Sequence, residues 1–291
     1  FSLALKLAKK VDADIVLATD PDADRLGVYA KDSRTGEYQS FTGNMSGMLI
    51  LEYILSQRKV LGTLPENGAV VTTIVSGKMA REIAGAYQVD LIETLTGFKY
   101  IGEQIKFFEQ NGEHEYVFGY EESYGCLVGT HARDKDAVAA VMALCETAAF
   151  CRHRGMTLCD QMETLFETYG YYQEGLCTVT LKGQDGAKKI ASMMEGIRGN
   201  VPKTVGGLGV TQFRDYQEDV LLDFVNGTKT ATGLPKSNVL YFELEEGAWC
   251  CIRPSGTEPK IKFYIGVKGT CKEDAEQKLA KLTEGVKGLA E

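Results

Sequence analysis

Three aspartates at alternate positions, Asp20, Asp22 and Asp24, with Pro21 and Ala23 between them and Arg25 directly behind, form the densest concentration of potential chemistry in the chain. Carboxylates this close repel one another unless a cation lies among them. An all-oxygen donor set suits a hard divalent ion such as Mg²⁺, which keeps positions for water or a phosphate. If the segment stays extended, the alternation sends all three side chains to one side. A solvated acidic turn is the plain alternative.

An EF-hand fits less well, because Arg25 stands where that loop needs glycine and Lys31 where it needs a bidentate glutamate. A phosphatase of the haloacid-dehalogenase type would use Asp20 as nucleophile and Asp22 as acid, but would want Thr or Val at position 24.

A second cluster lies near the other end, in Arg253-Pro254-Ser255-Gly256-Thr257-Glu258-Pro259-Lys260. The arginine fork, two hydroxyls and a glycine that lets backbone N–H groups come close all suit a phosphate dianion. Lys262 adds charge, although a turn built from Pro, Ser and Gly for conformational reasons is an equal alternative. Between the two clusters, Gly119-Tyr120-Glu121-Glu122-Ser123-Tyr124-Gly125 offers carboxylates and a hydroxyl to vicinal sugar hydroxyls. The run His131 to Asp136 leads into a helix, within reach of a phosphate for Arg133 and Lys135, with Asp134 as a capping residue. Thr96-Gly97-Phe98-Lys99 opens another helix, where backbone N–H groups are free.

The elements that must position these residues alternate. Ile15 to Ala18 is a buried strand ending in the acidic segment, and Leu26 to Ala30 is the next strand. Helices are predicted over 48–55, 78–87, 98–110 and 136–152, with strands over 69–75, 89–94 and 116–119. This alternation predicts an α/β domain with a mixed, mainly parallel sheet. After about Tyr169 the pattern changes to strands over 175–181, near 210, and over 239–243, 248–253 and 260–267, with helices over 186–197 and from Lys272. That mixture predicts a small α+β domain with an antiparallel sheet, joined through a hinge at 170–174. Residues 1–10 have helical spacing with no capping residue ahead, like a cut helix.

Composition narrows the field. With 291 residues and a formal charge of -8, the chain has room for two compact domains and lacks the basic surface that nucleic acid needs. Its eight cysteines form no pair of C-x-x-C motifs, so reduced thiols rather than zinc are expected. No apolar run is long enough to span a bilayer and no signal peptide is evident, so no membrane partner and a cytoplasmic location are expected.

In order, the segments D-P-D-A-D-R, T-G-F-K, Y-E-E-S-Y-G, R-D-K-D and R-P-S-G-T-E-P resemble the phosphohexomutase superfamily, nearest its phosphoglucomutase and phosphomannomutase members. The resemblance covers nearly the whole chain. It implies an isomerase that interconverts hexose 1-phosphate and hexose 6-phosphate through a hexose 1,6-bisphosphate. Asp20, Asp22 and Asp24 would hold Mg²⁺ with Arg25 nearby, and Lys135 would add positive charge. Glu121 and Ser123 would contact the sugar, with Lys99 and Arg133 also on the substrate side. Arg253, Ser255, Gly256 and Thr257 would grip the phosphate not being transferred. Residues 1–40 would end the family's second domain, 41–169 would be its third and 170–291 its fourth.

Two departures stand out. No serine lies in a T-A-S-H-N-P-like loop, so the N-terminal domains with the phosphorylated serine are expected to be missing and the chain alone to be inactive. Tyr120 stands where many members have glycine, which leaves Glu121 and Glu122 as rivals for the sugar contact. A stand-alone phosphosugar-binding module is the non-enzymatic alternative, and glucose, mannose and pentose are equally compatible.

Overall fold

The computed structural model describes residues 1–181, 183–256 and 258–290. They divide into two units, Phe1–Tyr169 and Gly170–Glu291.

The first unit begins with α1 (Ser2–Val11), followed by β1 (Ile15–Thr19), β2 (Leu26–Lys31) and β3 (Tyr38–Phe41) in an antiparallel sheet of order β1-β2-β3. Along β2 the buried residues are Leu26, Val28 and Ala30, the alternation of a sheet packed on one face. β1 departs from the expected buried strand. It is an edge strand on which Val16 alone is buried, so the acidic segment leaves an antiparallel edge rather than the end of a parallel sheet.

A second sheet follows, interleaved with helices. Its members are α2 (Gly43–Val60), β4 (Gly68–Thr73), α3 (Met79–Ala86), β5 (Asp90–Thr94), α4 (Phe98–Asn111), β6 (Glu115–Glu121), β7 (Gly125–Val128), α5 (Ala137–His153) and α6 (Leu158–Tyr169). The order is β5-β4-β6-β7, with β4 parallel to β5 and β6, and β7 antiparallel to β6. All six residues of β4 are buried, as its central place between two strands demands. On one face α4 contributes Phe98, Ile101, Ile105 and Phe108 against Ala69, Val71 and Leu127.

Thr42 caps α2 by accepting from the Met45 N–H at 3.1 Å, the arrangement expected of a hydroxyl N-cap. The first residue of that helix must be glycine, because a Cβ on Gly43 would come within 2.3 Å of the Glu122 carbonyl oxygen. Here α2 meets the turn joining β6 to β7, and Tyr120 is fully buried against Gly47 one helical turn further on.

The second unit contains β8 (Tyr171–Thr180), α7 (Gly183–Gly199), β9 (Thr204–Val205), β10 (Leu208–Asp215), β11 (Val220–Asp223), β12 (Thr228–Thr230), β13 (Leu240–Leu244), β14 (Trp249–Pro254), β15 (Lys260–Gly269) and α8 (Lys272–Lys287). The sheet runs β12-β11-β10-β13-β14-β15-β8 with antiparallel neighbours, and β9 pairs with β10. Its core unites Ile190 and Met194 of α7 and Leu282 and Val286 of α8 with Phe242, Cys250, Phe263 and Ile265. The expected hinge at 170–174 is mostly strand instead. β8 pairs with β15 from Tyr171 onward, and Gly170, at φ 114°, directly precedes it.

Candidate functional site

The three acidic side chains converge, each offering an oxygen within 4.8 Å of the others. They do so by a route that alternation did not anticipate. Residues 21–24 form a tight turn rather than an extended segment, closed by the Ala23 N–H donating to the Asp20 carbonyl at 3.1 Å, with Ala23 at φ 55°. Backbone N–H groups of Asp24 and Arg25 donate to Asp20 Oδ1 at 3.1 and 3.0 Å. Loss of hydration pushes the Asp20 carboxyl up, but these N–H groups outweigh it and hold the carboxyl below its ordinary value.

Main-chain bonds fix the turn to two other segments. The Ala137 N–H, at the start of α5, donates to the Ala23 carbonyl at 3.0 Å, and the Leu26 N–H donates to the Tyr124 carbonyl at 3.0 Å. Arg25 also forms an isolated antiparallel bridge with Gly125.

Through these connections Lys135 reaches the acidic turn. Its Nζ lies 2.9 Å from Asp24 Oδ2 and 3.0 Å from Asp134 Oδ1, on a side chain only 10% exposed. The ammonium also sits 5.6 Å from the Phe98 ring centroid. Burial opposes its charge, but the bonds to Asp24 and Asp134, with the field of Glu121, raise its pKa above the ordinary lysine value. Arg25 stays largely exposed, its Nε 3.7 Å from Asp24 Oδ1. That oxygen is buried with no hydrogen-bond partner. An orphaned carboxylate oxygen beside two more carboxylates fits a hard divalent cation, so the residues present suit the metal that their types suggested.

The hairpin turn between β6 and β7 carries the two rival glutamates. Glu121 is buried and accepts from Ser123 Oγ at 2.6 Å. Glu122 accepts from Thr73 Oγ1 at 3.1 Å. The field of Glu121 at Lys135 links this hairpin to the acidic turn.

Other candidates have partners of their own. Arg133 donates to Glu109 Oε1 at 2.5 Å and to the carbonyls of Thr130 and Ala132 at 2.7 and 2.9 Å. Lys99 is exposed, its Nζ 4.7 Å from the Tyr100 ring centroid. Capping of α5 falls to Asp136, which accepts from the Val138 and Ala139 N–H groups at 2.9 and 3.1 Å, and not to Asp134, which instead pairs with Lys135. A cavity of about 450 Å³ opens beside Asp20 and Arg25, bordered also by Tyr29, Phe41 and Tyr124.

In the second unit, the loop from 254 to 260 is closed by the Ser255 N–H donating to the Lys260 carbonyl at 2.8 Å. Arg253 and Lys262 face each other across β14 and β15, with Thr178 of β8 next in the row. Two cations at directly opposed positions repel, which suits an anion between them. Gly256 is exposed, and Thr257 lies outside the described residues.

Sequence reasoning gave no role to Gly125 or Phe98 and read Asp134 only as a cap, yet the three together locate the Lys135 side chain. A glycine closing a short hairpin was the available signal for the first. The other two depend on packing that spacing does not reveal.

The family model described as phosphoglucomutase/phosphomannomutase, alpha/beta/alpha domain III, matches residues 42–169. A phosphoglucomutase of Staphylococcus aureus (strain MRSA252) is 38% identical over 280 residues, which take in 96% of this chain and 49% of the relative. Among solved structures, pp63/parafusin from Paramecium, a phosphoglucomutase in its open form, superimposes with a TM-score of 0.65 at 17% identity, over 95% of this chain and 45% of that one. An Aspergillus fumigatus N-acetylphosphoglucosamine mutase, in complex with GlcNAc-6P and magnesium, gives 0.51 at 14% identity over 99% and 53%. Residues 42–169 thus match domain III of the phosphoglucomutase/phosphomannomutase family, and the chain is similar to phosphoglucomutases along nearly its whole length. It spans about half the length of the curated relatives it matches.

Proposed function

We propose that the whole protein interconverts hexose 1-phosphate and hexose 6-phosphate through a hexose 1,6-bisphosphate, and that this chain supplies its cation-binding and phosphosugar-binding residues. The observation that carries the reading is the convergence of Asp20, Asp22 and Asp24 with an orphaned oxygen on Asp24 and the Lys135 ammonium beside it. Residues 1–40 are assigned to the end of a second domain, 41–169 to a third and 170–291 to a fourth. The cytoplasm is the compartment this reading implies. Among the described residues no helix is long and apolar enough to cross a membrane.

Asp20, Asp22 and Asp24 would hold Mg²⁺, which when bound offsets charge on a transferring phosphoryl group. Arg25 and Lys135 add positive charge at that position. Glu121, oriented by Ser123, accepts from sugar hydroxyls, and it is favoured over Glu122 because its charge acts on Lys135 beside the acidic turn, whereas Glu122 is engaged by Thr73 of β4. Lys99 and Arg133 would contribute cationic charge on the substrate side. Arg253, Ser255, Gly256 and Thr257 grip the phosphate that is not transferred, so that its binding energy positions the reacting oxygen.

No serine of these 291 residues stands in a T-A-S-H-N-P-like loop, so the phosphoryl carrier is assigned to N-terminal domains outside this chain. The purified chain is therefore expected to bind glucose 1,6-bisphosphate in the presence of Mg²⁺ yet convert no glucose 1-phosphate to glucose 6-phosphate. Titration calorimetry tests the first statement and a coupled assay the second. Absence of bisphosphate binding by a folded chain would overturn the assignment of the binding residues.

A further inference from the structure

We infer that Lys135 is a positioning residue for the cation site: by holding Asp24 through Oδ2, it leaves Oδ1 as the oxygen that meets the metal. The inference rests on the reading of the acidic turn as a divalent-cation site, and concerns how that site is built.

A carboxylate on a turn has rotational freedom that a metal must arrest on binding. Groups behind the ligands commonly remove that freedom in advance, and losing one typically lowers metal affinity about 10- to 100-fold. Asp24 has such a group. The Lys135 ammonium lies 2.9 Å from Oδ2, while Oδ1 is buried without a hydrogen-bond partner. Asp20 is held comparably, its Oδ1 accepting the N–H groups of Asp24 and Arg25. Two of the three carboxylates therefore each have one oxygen tied by the protein.

The lysine is itself held. Its stem crosses Gly125, its ammonium lies near the Phe98 ring, and Asp134 Oδ1 takes a second bond at 3.0 Å. A lysine placed only to neutralise the turn would need none of this. A freely solvated ammonium could screen three carboxylates from many positions, whereas this one is nine-tenths buried and bonded to one oxygen of the trio, Asp24 Oδ2, with Asp134 holding it there.

The opposite role is physically open to the same pair. An ammonium on Asp24 could compete with a divalent ion for the carboxylate, and its removal would then strengthen binding. The two roles predict changes of opposite sign.

The test is titration of the 291-residue chain with Mg²⁺ alone by calorimetry and with Mn²⁺ alone by electron paramagnetic resonance. Lys135→Met keeps the stem over Gly125 and removes the charge. It is expected to weaken both cations about 10- to 100-fold, with circular dichroism unchanged. Lys135→Ala provides a second measure, because added methylammonium can enter the vacated space and is expected to recover part of the affinity, which a general packing defect would not allow. Unchanged or tighter binding by Lys135→Met, with wild-type binding intact, overturns the positioning role and leaves the cation site standing. If the folded wild type binds neither cation, the cation-site reading fails and this inference fails with it.

Discussion

The aliphatic stem of Lys135 lies directly over Gly125, so that a Cβ on the glycine would come within 2.0 Å of Lys135 Cδ and 2.6 Å of Cγ. Gly125 also starts β7 and bridges Arg25, so the hairpin cannot retreat without disturbing the acidic turn. Gly125→Ala is therefore expected to move the lysine off Asp24. Crystallography of the variant should show the Lys135 Nζ to Asp24 Oδ2 separation beyond hydrogen-bonding range, and an unaltered pair would refute the steric account.

Asp22 is the exposed member of the acidic trio. Its neutralisation removes like-charge repulsion in the absence of metal. Asp22→Asn should accordingly melt at or above the wild-type temperature in chelator, while losing most of the rise that Mg²⁺ gives the wild type. At a hundredfold excess over Kd, that rise corresponds to about 2.7 kcal/mol. Thermal melts with chelator and with saturating Mg²⁺ check both halves.

Asp32 anchors the hairpin between β2 and β3. It is 1% exposed and accepts from the Arg34 N–H at 2.8 Å and from Gln39 Nε2 at 2.6 Å. Burial pushes its carboxyl up, yet the Arg34 N–H and guanidinium prevail and hold it below the ordinary aspartate value of 3.8. The folded state thus releases this proton more readily than the unfolded one. The resulting stability is fully present above 3.8 and is lost as pH falls through the lower folded value. Asp32→Asn should lower stability at neutral pH by about 1–3 kcal/mol and flatten the acid arm of the stability profile. Urea unfolding at stepped pH measures both, and parallel acid arms for the two proteins would remove Asp32 from the explanation.

Phe263 is fully buried in the core of the second unit, between the sheet and α7 and α8. Phe263→Ala is expected to cost about 3–5 kcal/mol. Hydrogen exchange should quicken across β13, β14 and β15 and remain near wild type in β4 and β6. Equal acceleration in both units would mean that their cores are not separate.

Helices and central strands were legible because burial writes itself into the local pattern. The buried β-branched residues of β4 and the hydroxyl cap of α2 are examples. β7 was not recognised, since it follows β6 after a three-residue turn and G-C-L-V is too short to show alternation. β3, β11 and β12 were missed for the same reason, and α6 because its amphipathic run follows closely on the end of α5. At the site, the carboxylate trio could be read from spacing, but the left-handed conformation of Ala23 could not, because alanine rarely adopts it. Nor could the Asp24 to Lys135 pair, which depends on the meeting of two distant segments. The acidic motif gave the donor chemistry, and tertiary contacts decided which oxygen was left without a hydrogen bond.

The main-chain bonds from Ala137 to Ala23 and from Leu26 to Tyr124 hold the acidic turn in shape. Because they use peptide groups, every side-chain variant of the turn other than proline retains those donors and acceptors. The entropy of gathering the carboxylates is thus lost once, during folding, and need not be lost again at each encounter with an ion. Cation capture should then be governed by dehydration of the arriving ion, and its speed should be little affected by solvent viscosity.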